Sequence, residues 1–165
     1  MRSWQLGTMI VGVGLLVLAS LFPFYWTIVS SVTPEADLRE RFELGTRKAI
    51  LCVASSLAHK NIPRLIEAYA ARFAGAAGAP VLVVAGHAGL GQSHLQELAE
   101  SLGVSDSVRF TGWVEDEELE GLYALASCFV YPTLREGFGM PVLEAMHRGT
   151  PVACSVVVSS PMRVA

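Results

Sequence analysis

From Ala49 to Cys154 short apolar runs alternate with amphipathic helical patterns, and this alternation constrains the fold more than any other feature. Ala49 to Ala54 (AILCVA) and Pro80 to Ala85 (PVLVVA) read as buried strands, short apolar runs rich in branched residues, and Val108 to Thr111, Cys128 to Tyr131 and Pro151 to Cys154 read as three more strands, the last an edge or nearly so. Between them, Ile62, Leu65, Ile66, Tyr69 and Phe73 recur at helical spacing after a capping Asn61, with Pro63 in the first turn and Gly75 at the end. Ser93 and Gln96 form a capping-box pattern ahead of Leu95, Leu98, Ala99 and Leu102. Glu115 to Glu118 load negative charge onto the start of a helix whose inward face is Leu119, Leu122, Tyr123 and Ala126. Met140 to His147 is the last helix. Strands joined by helices through short connections call for a parallel sheet covered on both faces, an α/β fold.

Composition matters mainly through its unevenness. Ser3 to Pro34 contains no Asp, Glu, Lys or Arg, and every charge except Arg2 lies from Glu35 onward. Residues 6–32 are long and apolar enough for a single transmembrane helix, with Tyr25 and Trp26 suited to the interface. A cleaved signal with Met9 to Ala19 as its apolar core and a buried hydrophobic helix are the competing readings. The flanking charges give no orientation. The expected organisation is a membrane segment (1–33), a linker (34–48), an α/β domain (49–155) and an irregular tail (156–165). A net charge of −3 excludes a basic nucleic-acid groove. Cys52, Cys128 and Cys154 cannot all pair, and their apolar settings read as reduced core thiols of a cytosolic domain.

Ligands of open parallel sheets bind beyond the carboxyl ends of the strands. That rule selects the loops Ser55 to Lys60, Gly86 to Gly91, Pro132 to Gly139 and the turn at Ser155. The second has G-x-x-G-x-G spacing, which is not the dinucleotide fingerprint, and reads as turn geometry. The third holds Glu136, Gly137, Phe138 and Gly139, with Glu144 eight residues after Glu136 in the following helix. The glycines let a ligand approach the main chain, and the helix start favours an anion. Two carboxylates beside an anion site need neutral donors such as sugar hydroxyls, and Lys60 can bring a positive charge to the same crevice. A diphosphate between two polyhydroxylated rings satisfies all of these, and a nucleotide sugar is such a molecule. No ligand cluster for a metal stands out, and the four histidines are scattered.

SSLAHKNIPRLIEAYA, VRFTGWVEDEELEGLYALA and YPTLREGFGMPVLEAMHRGTPVACS resemble the donor-binding domain of GT-B retaining glycosyltransferases of family four, over Ala49 to Ser155. The resemblance implies half of a GT-B fold, a Rossmann-like sheet. It also implies that Glu136 approaches the donor sugar's hydroxyls, that Glu144 bonds the ribose, and that amides around Gly137, Phe138 and Gly139 contact sugar and diphosphate. Lys60 matches the lysine that pairs with the diphosphate. No cofactor or metal is implied; the nucleotide sugar is the substrate. The chain departs from the family at Ser55, where many relatives carry an arginine, and at Met162, where a glutamate is expected after Pro161.

LFPFYWTIVSSVTPEADL resembles the first membrane helix of carbohydrate ABC importer permeases. With the acceptor-binding domain of GT-B enzymes expected ahead of Ala49 and not found there, the reading is a truncated, membrane-tethered donor half, cytoplasmic in its globular part. Transfer then requires an acceptor domain from another chain, and no catalytic residue is assigned. The competing classes are a non-catalytic interaction module on a membrane anchor and a transporter fragment fused to a glycosyltransferase remnant.

Overall fold

In the computed structural model, residues 12–14, 17, 20–25, 35–89 and 91–155 are described. From Ala49 onward the strands and α-helices follow one another as β1 (Ala49–Val53), α1 (Ile62–Phe73), β2 (Val81–Ala85), α2 (Gln92–Ser101), β3 (Val108–Gly112), α3 (Asp116–Leu125), β4 (Ala126–Tyr131), α4 (Met140–His147) and β5 (Val152–Cys154). The strands form one sheet in the order β3-β2-β1-β4-β5, with every neighbouring pair parallel. The chain runs outward from β1 to β3 and then returns to the other side of β1. The order therefore reverses between β1 and β4, and a crevice opens there at the strands' carboxyl ends.

Successive residues of β2 alternate between two cores, as the pleat requires. Leu82 and Val84 pack with Ile62, Ile66 and Tyr69 of α1 and Leu95 and Ala99 of α2. Val81, Val83 and Ala85 face the opposite side, with Leu122 and Tyr123 of α3, Phe129 and Tyr131 of β4 and Ala145 of α4. The expected α/β layering is present, with five parallel strands.

Several local expectations give way. The stretch read as a linker packs: residues 38–41 are helical, and Leu38, Phe42 and Leu44 are buried in the second core. Gly121 of α3 lies against Leu38: a Cβ there would lie 2.2 Å from Leu38 Cδ1, and the end of that side chain would have to turn aside. The amphipathic spacing of Leu38 and Phe42 was too short to stand out from the charges around it. The capping box expected at Ser93 does not form; α2 starts two residues earlier, behind Gly91, without a side-chain cap. A capping box does form at α3, where the Glu115 and Glu118 side chains each meet the other residue's backbone N–H. Strand β4 begins at Ala126, directly after α3, so Ala126 opens the strand instead of closing the helix's inward face.

Asn61 precedes α1 in the left-handed conformation (φ 56°) and caps nothing with its side chain. Among the thiols, Cys52 is buried and burial pushes it up to about 12, opposed by the Lys60 charge. Cys154 is exposed, because β5 pairs with β4 alone among the described strands and its other side lies open. It is therefore not a core thiol.

The chain divides into two units, Met1–Asp37 and Leu38–Ala165. In the first, residues 20–25 are helical, with Leu21, Phe22, Phe24 and Tyr25 exposed. The expected membrane span of residues 6–32 falls for the most part outside the described residues, as does the tail 156–165. Among the described residues, no helix is long and apolar enough to cross a membrane.

Candidate functional site

The loops after β1 and β4 are stitched together across the crevice. The Leu134 amide donates to the His59 carbonyl at 2.7 Å, and the buried Thr133 hydroxyl lies 3.1 Å from that same oxygen. The Asn61 side-chain amide, turned outward by its left-handed backbone, donates to the Pro132 carbonyl at 3.2 Å. Asn tolerates that conformation better than most residues, which explains its place at this junction.

This stitching brings Lys60 and Glu136 together, 76 residues apart in sequence. The Lys60 ammonium donates to Glu136 Oε2 and, at 3.3 Å, to the Tyr131 hydroxyl. Tyr131 in turn donates to the same carboxylate oxygen. The hydrogen bonds from Lys60 and Tyr131 hold the Glu136 carboxyl well below its ordinary value, at about 2, against the opposing effect of burial. Burial pulls the Lys60 ammonium down, but its bonds to Glu136 and Tyr131 outweigh this and raise it. The Tyr131 hydroxyl is raised by burial and by its bond to Glu136. At neutral pH the cluster is a charged pair with a neutral phenol between its members.

Beside this cluster lies a cavity of about 260 Å3, lined by Tyr131, Glu136, Gly137, Phe138, Gly139, Val142, Leu143, Cys154 and Ser155. Gly139 precedes α4 with φ 80°, a conformation L-residues rarely adopt, and no side chain caps the helix. Pro141 in the first turn has no N–H to satisfy. The Gly137 amide already turns toward a carboxylate, donating to Glu136 Oε1 at 3.2 Å. The opening of α4 thus offers backbone donors and the positive end of its dipole to whatever enters the cavity.

Of the six residues singled out from sequence, Lys60, Glu136, Gly137, Phe138 and Gly139 meet at the crevice and its cavity. Glu144 stands apart. It lies about one turn into α4, does not line the cavity, and accepts a hydrogen bond from Tyr123 at 3.0 Å. Burial first and this bond second raise the Tyr123 hydroxyl far above its usual range. The sequence reading missed both tyrosines as site residues. Tyr131 ends a strand, and the carboxyl-end rule that selected the loops would have selected it too. Tyr123 carried no signal beyond its place on an inward helix face. The glycine-rich loop after β2 does serve geometry: a Cβ on Gly86 would lie 2.4 Å from the Ala54 carbonyl oxygen. Among the described residues, no group of three or more His, Cys, Asp or Glu side chains could hold a metal ion.

Comparison with known proteins fits this geometry. The chain is 37% identical over 122 residues to the O-antigen chain mannosyltransferase B of Escherichia coli, covering 74% of this chain and 32% of that protein. It is 36% identical over 124 residues to the GDP-mannose-dependent alpha-(1-6)-phosphatidylinositol monomannoside mannosyltransferase of Mycobacterium tuberculosis, covering 71% of this chain and 32% of the relative. The chain thus spans about a third of the length of the curated relatives it matches. Among solved structures, WaaG, a glycosyltransferase of lipopolysaccharide biosynthesis, aligns with a TM-score of 0.64 at 26% identity, over 78% of this chain and 34% of that one. HepE of Anabaena, solved with UDP and glucose, shares the fold with a TM-score of 0.66 at 21% identity, over 76% of this chain and 34% of that one. The family model of glycosyl transferases group 1 matches residues 35–165, which includes the segment 38–44 that packs into the core. The chain belongs to the group 1 glycosyltransferases.

Proposed function

We propose that this chain binds the nucleotide-sugar donor of a retaining hexosyl transfer. The observation that carries the reading is the Lys60–Glu136 pair at the switch point of the sheet, beside the uncapped start of α4. Glu136 accepts a hydrogen bond from the Lys60 ammonium. A diphosphate entering the crevice takes that position, and Glu136 is released to accept hydrogen bonds from the sugar's hydroxyls. Amides of Gly137, Phe138 and Gly139 meet the diphosphate and the sugar, and Glu144 bonds the ribose. During transfer the bond from the anomeric carbon to the diphosphate oxygen breaks, and negative charge collects on the departing diphosphate. Lys60 and the dipole of α4 stabilise that charge. The names of the similar mannosyltransferases favour GDP-mannose as donor, and the HepE complexes favour the broader nucleotide-sugar class.

The acceptor side of the reaction is supplied from outside the donor half, by another domain or chain. The charge-free residues 3–34 support a membrane tether of permease-helix type, with the donor half on the cytoplasmic side. Calorimetric titration of the chain with GDP-mannose, GDP, UDP-glucose and UDP tests the reading. One of these pairs binds saturably, and Glu144→Ala weakens the binding about tenfold, the loss of a charged hydrogen bond. No saturable binding to any of the four overturns it in favour of a non-catalytic module with the same fold.

A further inference from the structure

Three aromatic rings run through the second core from α3 to the crevice. Tyr123 and Phe129 lie 5.5 Å apart, and Phe129 and Tyr131 are stacked at 6.0 Å with 24° between their planes. All three are buried, Phe129 completely. The two ends of this ladder are the two tyrosines, and each places its hydroxyl on one of the two carboxylates: Tyr131 on Glu136, Tyr123 on Glu144. Phenylalanine would fill either space equally well. A buried hydroxyl has to find an acceptor, and here both find one on a side chain singled out for ligand binding.

We infer that Tyr131 and Tyr123 are positioning residues, one for each carboxylate, and that the ladder fixes the separation of the two groups. The inference rests on the donor reading above, in which Glu136 meets the sugar and Glu144 the ribose. When the diphosphate draws Lys60 away from Glu136, the Tyr131 hydroxyl stays as the side-chain donor on Oε2, beside the Gly137 amide on Oε1, and it keeps the carboxylate aimed at the sugar instead of swinging into solvent. Tyr123 does the same for the half-buried Glu144. Because Phe129 is fully buried between the two tyrosine rings, tilted at 58° to Tyr123 and stacked on Tyr131, neither hydroxyl can shift without disturbing the core, so the distance between the sugar and ribose contacts is built into the fold.

The two tyrosines therefore carry different signatures. Tyr131→Phe lowers affinity for GDP-mannose or UDP-glucose roughly three- to tenfold while leaving GDP or UDP alone, because only the sugar needs Glu136. Tyr123→Phe lowers affinity for the nucleotide sugar and its nucleoside diphosphate together, by a similar factor, because both contain the ribose. In a Glu136→Ala background, Tyr131→Phe adds no further loss. Titrations of the chain and these variants, with thermal melting to confirm folding, give all of these values. Should Tyr131→Phe melt early, Tyr123→Phe carries the test: affinities for nucleotide sugar and nucleoside diphosphate that both equal those of the wild type overturn the inference. Identical ratios in wild type and Tyr131→Phe overturn the inference while the donor reading stands. An absence of binding by the wild-type chain overturns both.

Discussion

The two faces of the sheet use the same materials for different ends. On one face, α1 and α2 close over Leu82 and Val84, and the buried tyrosine of that core, Tyr69, donates its hydroxyl to the Pro80 carbonyl at 2.5 Å. That bond satisfies a backbone group, and the same hydroxyl meets the Ser107 side chain, with no carboxylate in reach of either bond. On the other face, α3 and α4 cover Val81 and Val83, and the buried tyrosines donate to the carboxylates Glu136 and Glu144. The apolar packing of the two cores is alike. They differ in where the polar tips of their aromatic side chains lead: to the main chain and Ser107 on one side, and to two carboxylates on the other. A core face becomes a site when its hydroxyls are tied to side chains that a ligand can also use.

The strongest test of this division is Ile66→Ala on the closed face. Ile66 is fully buried between α1 and the sheet. Truncation removes its packing and leaves a cavity, so unfolding free energy falls by about 2–5 kcal/mol. Denaturant titration reads the loss, and the affinity ratio between nucleotide sugar and nucleoside diphosphate in the surviving folded chain stays where it was. A changed ratio would show that the faces are coupled through the sheet, and the division would fail.

The closed face is also the part the sequence makes easiest to read. Ile62, Ile66 and Tyr69 recur at helical spacing, and the β2 run is apolar throughout, so the elements and their burial follow from pattern alone. On the site side, sequence spacing reveals Glu136 and Glu144, and the carboxyl-end rule brings in Lys60. It does not reveal which groups these side chains touch. The meeting of Lys60 with Glu136 depends on the order reversal between β1 and β4, which no local pattern encodes. Tyr123 and Tyr131 look like any buried aromatics until their hydroxyls are placed. Leu38 and Phe42 escape for a different reason, because they sit among Arg39, Glu40, Arg41 and Glu43, where composition suggests solvent.

A smaller effect sharpens the comparison through pH. Glu136 is held at about 2 against an ordinary 4.5, so its contribution to stability is present above pH 4.5 and is lost as pH falls toward 2. Lys60 is raised above 10.5, so its share persists up to that pH and disappears as pH rises through the folded value. On the closed face, burial raises Tyr69, which keeps its titration out of the acid range. Denaturant midpoints followed from pH 6 downward therefore show an acid slope between about pH 4.5 and 2 that Glu136→Gln flattens and Tyr69→Phe does not. Equal slopes in wild type and Glu136→Gln would mean that the pair is solvated and contributes nothing.

The smallest expected effect lies on the outer side of α4. Met140, Leu143 and Met146 follow one another at three-residue intervals and are 53%, 46% and 61% exposed, while Ala145 is fully buried against the sheet. The helix is therefore held through Ala145 and the partly buried Val142, and the methionine stripe adds little. Met146→Lys should change unfolding free energy by no more than about 0.5 kcal/mol, as surface substitutions generally do. The substitution also lies away from the cavity lining, so nucleotide-sugar affinity is retained. A loss comparable to that of Ile66→Ala would show that this stripe is covered in solution. Both faces would then be equally closed, and the openness of the site side would have to be sought only at the crevice between β1 and β4.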